Sequence, residues 1–126
     1  MSSYTPISGR PPINGLRTTI ENTSGEAVPT SLGITAIGHG VKVVASAGTD
    51  VALSTTTACK RAVIQAQTDN TNLVAVGGAG VDATVATGTG VALAAGDAFE
   101  IEITDLSAIY IDAVVSGEGV RYTYFT

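Results

Sequence analysis

Four acidic residues in the second half of the chain have the side chains and spacing for acid–base or metal chemistry: Asp97, Glu100, Glu102 and Asp105. Side chains two residues apart on a β-strand share a face, so Glu100 and Glu102 could hold a cation or form the carboxylate pair of a glycosidase. The same pattern is typical of a solvated sheet face, where like charges discourage aggregation between edges. Glycosidase clefts usually carry aromatic platforms, and this chain has no Trp, four Tyr and two Phe. We therefore interpret the acidic residues as a solvated face.

The segment GAGVDA, residues 78–83, matches the dinucleotide fingerprint G-x-G-x-x-A and follows a predicted strand. That fingerprint requires a helix that begins at the loop, so that the helix N-terminus faces the pyrophosphate. The residues that follow, TVATGTG, are poor helix formers. We therefore interpret the glycines as turn residues and expect no nucleotide and no other cofactor.

The sequence contains one histidine, His39, and one cysteine, Cys59. A jelly-roll metal site of the cupin kind needs several converging histidines, and the sequence has no G-x-S-x-G nucleophile motif. We expect His39, which stands between two glycines, to be a loop residue. We expect Cys59 to be a small residue at the entrance of a strand, although Lys60 and Arg61 beside it could lower its pKa. The sequence thus predicts no catalytic residue, no metal site and no enzymatic activity.

The composition favours one acidic domain. With 126 residues the chain can bury a core of its own. Its six Lys and Arg residues are scattered and its net charge is −5, whereas binding to a nucleic-acid backbone requires clustered basic side chains. The first residues, MSSYTPISGRPP, lack the basic start and apolar run of a signal peptide, and no apolar stretch is long enough to cross a bilayer. We expect a cytoplasmic product with neither nucleic acid nor a membrane as partner.

Short β-branched runs, cut regularly by Gly, Asn and Asp, predict the elements that carry these residues. The predicted strands cover residues 16–21, 41–45, 51–53, 61–67, 73–76, 91–93, 99–104, 109–114 and 120–124. We expect residues 61–67 and 73–76 to pair as a hairpin around TDNTN, and residues 29–40 to form short extended pieces. The pattern predicts an all-β fold, an antiparallel β-sandwich or jelly roll of about 8–10 short strands over residues 16–126. An extended N-terminal arm precedes it at residues 1–15, because Pro11 and Pro12 exclude both a helix and a paired central strand.

The candidate contact residues lie at the two ends of the chain. The arm has apolar anchors at Tyr4 and Ile7. In the last predicted strand, alternation places Tyr122 and Tyr124 on one face and Phe125 on the other, so at least one aromatic side chain is expected at a contact surface. The predicted contact residues are Tyr4, Ile7, Pro11, Pro12, Ile13, Tyr124 and Phe125.

The block from Ala58 to Thr126 resembles a family of small virion proteins of tailed bacteriophages that decorate or cement the capsid. The resemblance is carried by ACKRAVIQA, NLVAVGGAGVDA, TGTGVALAAGDAFEIEITDLSAIYIDA and SGEGVRYTYFT. Gly-rich turns and the V-x-L-x-x-G-D step also occur in other phage β-sandwich modules, including tail and fibre domains. Residues 1–57 do not match the family.

The resemblance implies a non-enzymatic protein made in the host bacterial cytoplasm and placed on the outer capsid surface of the virion. Its implied partners are the major capsid protein and copies of itself, as a homodimer or homotrimer. It would stabilise contacts between capsid subunits against internal DNA pressure. Two alternatives remain open: a tail, fibre or receptor-recognition module, and a glycan-cleaving enzyme that uses Glu100 and Glu102.

Overall fold

The computed structural model describes residues 33–126. This part of the chain forms eight β-strands and one turn of 3-10 helix. Their bounds are β1 (Ile37–Val43), β2 (Val51–Ala52), β3 (Arg61–Ala66), β4 (Val74–Gly77), β5 (Val91–Leu93), β6 (Ala98–Ile101), the 3-10 turn (Leu106–Ala108), β7 (Tyr110–Ala113) and β8 (Gly119–Phe125). The predicted arm at residues 1–15 and the predicted strand at residues 16–21 lie outside the described residues.

The strands form two antiparallel four-stranded sheets. The first sheet has the order β1-β8-β3-β6, and the second has the order β2-β7-β4-β5. The pairing is nested, because β1 pairs with β8, β2 with β7, β3 with β6 and β4 with β5. The protein is therefore all-β with the architecture of a β-sandwich, as the regular spacing of turn residues predicted.

The main hydrophobic core receives side chains from both sheets. The alternation of β3 buries Ala62, Ile64 and Ala66, and Ile111 comes from β7 of the other sheet. Each fully buried Val, Leu or Ile contributes about 1.5–3 kcal/mol relative to an exposed one. Phe99 and the other apolar residues of the 99–104 run pack against this core while the glutamates between them stay exposed, as predicted.

A second, smaller cluster lies on the opposite side of β4 and β7. It consists of Ala75, Val81, Ala83, Tyr110 and Val114. Val81 and Ala83 belong to the loop of residues 78–90, which we call the covering loop. The alternation of residues 109–114 between two faces is thus confirmed, because Ile109, Ile111 and Ala113 lie in the main core.

Asp112 of β7 is a carboxylate that is only 1% exposed. Its Oδ2 accepts a hydrogen bond from Ala83 N at 2.9 Å, and its Oδ1 accepts one from Gly48 N at 3.0 Å. A buried polar group without such partners would be strongly destabilising. Asp112 therefore fastens both the covering loop and the loop after β1 to the second sheet.

The predicted hairpin between residues 61–67 and 73–76 is wrong. Strand β3 pairs with β6 and β8, whereas β4 lies in the other sheet and pairs with β5 and β7. The connection at residues 68–72 crosses between the sheets. Asn70 Nδ2 donates to Gly119 O at 2.9 Å, and the Glu118 carboxylate accepts hydrogen bonds from Thr71 N and Asn72 N. The turn-forming residues TDNTN are thus held by a distant turn of the chain.

Strand β1 is longer at its start than the predicted strand at residues 41–45. It covers residues 37–43, so His39 lies in a strand and the prediction of a loop residue is wrong. Glycine has no side chain to reveal an alternation, and Gly38 and Gly40 therefore concealed the strand.

Two tyrosines from β8 cover these glycines. Gly38 lies opposite Tyr124 and Gly40 opposite Tyr122 in the β1–β8 register. A Cβ atom at either glycine would overlap the ring of its tyrosine. Aromatic rings laid over glycines in a neighbouring strand are a known way to stabilise a sheet. The tyrosine rings of β8 therefore fill the space that side chains at Gly38 and Gly40 would occupy on the inner side of β1.

Candidate functional site

Two of the predicted acidic residues, Asp97 and Asp105, accept backbone hydrogen bonds at turns of the chain. Asp97 Oδ2 accepts a hydrogen bond from Ala94 N at 3.1 Å in the turn before β6. Asp105 Oδ1 accepts hydrogen bonds from Thr57 N at 3.0 Å and from Ser107 N at 2.9 Å, at the start of the 3-10 turn. These hydrogen bonds, first the one from Thr57, lower the pKa of the Asp105 carboxyl. Neither carboxylate is directed at a shared site.

Glu100 and Glu102 are both exposed. Glu100 Oε2 lies 2.9 Å from Arg61 Nε, but Nε makes no aligned hydrogen bond, so the two side chains form a charge contact at the surface. Such pairs contribute about 0–1 kcal/mol. Within residues 33–126, no group of three or more His, Cys, Asp and Glu side chains is placed to hold a metal ion. The exposure of both glutamates agrees with a solvated sheet face.

The GAGVDA segment begins the covering loop. Val81 N donates to Gly78 O at 3.1 Å, and Gly80 has a φ of 88°, a conformation that favours glycine. Residues 81–90 contain turns and no helix, so the helix N-terminus that a dinucleotide requires is missing from this loop. The interpretation of these glycines as turn residues is confirmed.

Cys59 lies buried at the entrance of β3, as predicted. Its Sγ lies 3.2 Å from Ile103 O, to which it can donate a hydrogen bond. Burial, together with the negative charge of Asp105, raises the pKa of the Cys59 thiol. A raised pKa reduces the thiolate fraction, so the neighbouring basic residues do not make this cysteine a nucleophile.

A row of exposed apolar side chains lies on the outer face of the first sheet. Ile37, Val41 and Val43 of β1 are exposed by 67%, 60% and 45%, and we call them the β1 apolar row. They share one face because they are separated by even numbers of residues. Val41 lies opposite Arg121 of β8, and Ile37 lies opposite Phe125. His39 lies on the same face between Ile37 and Val41. Clusters of exposed apolar side chains are typical of interaction surfaces.

The polarity of this outer face changes from one edge of the sheet to the other. The β1 edge carries the apolar row, and the central strands carry Arg61 and Arg121. The guanidinium of Arg61 lies 5.4 Å from the centre of the Phe125 ring and also contacts Glu100 of the β6 edge. Arg61 is therefore held between an aromatic ring and a carboxylate, at the boundary between an apolar, basic half and an acidic half.

The structure separates the two predicted contact aromatics that it describes. Tyr124 points to the inner side, where it lies over Gly38 with its ring centre 6.2 Å from that of Tyr122. Phe125 lies on the outer face. The other predicted contact residues, which fall outside the described part of the chain, are Tyr4, Ile7, Pro11, Pro12 and Ile13. Sequence reasoning missed the β1 apolar row, because Gly38 and Gly40 conceal the alternation in IGHGVKV.

These features define a class: an all-β sandwich with an exposed apolar sheet face, in which residues 33–126 contain no group of three or more His, Cys, Asp and Glu side chains placed to hold a metal ion. No family model matches the chain, and no curated protein matches it significantly. In residues 33–126 there is no helix that is long and apolar enough to span a membrane.

Proposed function

We propose that this chain is a non-enzymatic structural protein of a bacteriophage virion, which binds the outer capsid surface and stabilises contacts between major capsid protein subunits. The proposal rests on the resemblance of residues 58–126 to capsid decoration proteins of tailed bacteriophages and on one structural observation. That observation is the β1 apolar row beside Phe125, on a sheet face that no described part of the chain covers. Burying this row against a partner would contribute about 25 cal/mol per Å² of apolar surface.

The distribution of polar groups supports a binding role rather than catalysis. Asp97, Asp105 and Asp112 each accept backbone hydrogen bonds, so these carboxylates brace loops and turns. The outer face instead offers apolar side chains next to Arg121, a combination that suits a large protein surface. A flat surface of this kind gains affinity when several copies attach at once.

We extend the proposal to the finer fold. The nested pairing of β1 with β8, β2 with β7, β3 with β6 and β4 with β5 is the arrangement expected if the sandwich is a jelly roll. Jelly rolls occur in viral capsid and lectin domains. Because one fold hosts many functions, this likeness supports the proposal only together with the surface.

A copy count in purified phage particles tests the proposal. Quantitative mass spectrometry would measure the ratio of this chain to the major capsid protein. We expect a ratio close to stoichiometric. A handful of copies per particle would favour the tail, fibre or receptor-recognition alternative, and absence from particles would overturn the proposal.

A further inference from the structure

Strand β1 is an edge of the first sheet, with β8 on one side and no described strand on the other. In an antiparallel pair, residues alternate between those that bond to the partner strand and those whose N–H and C=O point away from it. Ala36 and Thr126 exchange hydrogen bonds of 3.0 and 2.9 Å, so the even-numbered residues of β1 bond to β8. The backbone groups of the odd-numbered residues therefore point to the free edge. These residues are Ile37, His39, Val41 and Val43.

This edge has few of the devices that normally prevent edge pairing. Such devices are short length, charged side chains, proline and bulges. β1 has seven residues in continuous register with β8, contains no proline and carries a single charged side chain, Lys42. The opposite edge, β6, has four residues and carries Glu100. The two edges of one sheet thus differ in protection, and β1 is the one able to pair.

The chain reaches β1 from the side of β3 rather than along the free edge. Thr35 N and Ala36 N both donate to Thr126 O, at the end of β8. Lys60 Nζ, next to the start of β3, donates to Gly33 O at 3.1 Å. Residues 33–36 therefore cross the end of the sheet from the side of β3 to the start of β1. They thus leave the free edge of β1 open.

We propose that two copies of this chain pair through β1, antiparallel and about a two-fold axis at Gly40, to form one continuous eight-stranded sheet. In this register Ile37 lies opposite Val43 of the second copy, and His39 lies opposite Val41. Each outward N–H and C=O of β1 then meets its complement. β6 offers fewer outward residues, Ala98 and Glu100, and so matches β1 less well.

The side chains are compatible with this register. Lys42 lies opposite Gly38 of the second copy, so the two lysines do not face each other. The Tyr122 rings of both copies lie over Gly40, so they meet at the axis on the inner side. On the outer face, the β1 apolar rows of the two copies become one band. The pairing does not depend on where the protein acts, but it would double the contact surface of the proposed function.

Amide hydrogen exchange on the full-length wild-type chain tests the pairing, together with sedimentation equilibrium over a concentration series. We expect a dimer in which the amides of His39 and Val41 become protected as the concentration rises. The amides of Gly38, Gly40 and Lys42 should be protected at every concentration, because they bond to β8. The outward amides of Ala98 and Glu100 serve as a control and should exchange freely throughout.

A proline substitution provides an independent test. Val41→Pro removes an outward N–H without removing a bond to β8, and an edge strand tolerates proline at such a position. The dimer would lose two central hydrogen bonds, so we expect its dissociation constant to rise by about 30-fold. Ala98→Pro, the matched change on the β6 edge, should leave the dissociation constant unchanged.

Three results would overturn the proposal. A monomer with freely exchanging His39 and Val41 amides would show an edge that stays open. A monomer in which these amides are protected would assign the edge to the chain's own residues 1–32. A dimer that loses affinity with Ala98→Pro, or whose β1 amides exchange freely, would pair through another surface.

Discussion

The outer faces of the two sheets differ in how far other residues of the chain cover them. On the second sheet, the covering loop packs Val81 and Ala83 against the strands, and Asp112 fastens that loop from beneath. On the first sheet, the β1 apolar row stays exposed and no part of residues 33–126 lies over it. Within residues 33–126, the chain thus covers the outer face of the second sheet and leaves the outer face of the first sheet exposed.

In this contrast, the contacts that stabilise the fold lie on the second sheet and the proposed contact surface lies on the first. The second sheet depends on a buried carboxylate and on a loop closed by backbone hydrogen bonds, so changes there should affect folding. The outer side chains of the first sheet contact solvent, so changes there should leave folding nearly intact and affect association. Substitutions on the two faces can therefore be tested against each other.

The largest expected effect is on the second sheet, at Asp112. Asp112→Ala leaves the N–H group of Ala83 without its acceptor in a buried site and that of Gly48 without its acceptor in a partly buried one. We expect the free energy of unfolding to fall by about 2–4 kcal/mol. Urea denaturation monitored by circular dichroism measures this loss.

Two variants calibrate that result. Asp112→Asn keeps the shape and one acceptor oxygen, so it should lose less than Asp112→Ala. Asp50→Ala removes the acceptor of an exposed hydrogen bond from Gly80 N and should change stability by less than about 0.5 kcal/mol. If Asp112→Ala were as mild as Asp50→Ala, the covering loop would not depend on the buried carboxylate.

A smaller effect is expected from acid, at Asp82 in the covering loop. Hydrogen bonds from Thr84 above all, and also from Thr87, hold the pKa of the Asp82 carboxyl below its ordinary value of 3.8. Because the folded pKa is depressed, the stabilisation is present above pH 3.8 and is lost as the pH falls through the folded pKa. We expect the amides of residues 82–89 to exchange faster, relative to their intrinsic rates at the same pH, at the acidic end of that window.

Asp82→Asn is the control for this pH dependence. The variant cannot titrate at this position, so the exchange of its loop amides should not acquire the additional acid-induced increase. An identical acid response in the variant and the wild type would assign the effect to another carboxylate, such as Glu118, whose pKa is also lowered by hydrogen bonds from Thr71.

Alternation predicted the strands whose side chains carry the pattern. In β6 and β7, large apolar residues such as Phe99 and Ile111 alternate with polar ones, and the structure confirms their faces. It missed the start of β1, because the pattern there is completed by Tyr122 and Tyr124 from the other end of the chain. A local sequence pattern cannot reveal this contact between the glycines of β1 and the tyrosines of β8.

The failed hairpin has a similar cause. TDNTN is a good turn by composition, but side-chain contacts to Glu118 and Gly119 direct it across to the other sheet. The burial of Asp112 could not be predicted from the alternation either. It occupies a polar position in the alternation, yet the covering loop buries it. The exposure of Glu100 and Glu102 could be predicted from the sequence, whereas recognition of the β1 apolar row required the strand register.

We propose that the outer face of the first sheet is the surface that contacts the capsid, and binding to phage shells that lack this protein tests this role. Val41→Asp places a charge in the β1 apolar row, and Val85→Asp makes the same change at a loop residue that is 77% exposed. We expect Val41→Asp to weaken shell binding by at least about tenfold and Val85→Asp to bind like the wild type. Dimer dissociation constants of the same variants separate capsid binding from self-pairing. Wild-type binding by Val41→Asp, or an equal loss with Val85→Asp, would show that the β1 apolar row is not the contact surface.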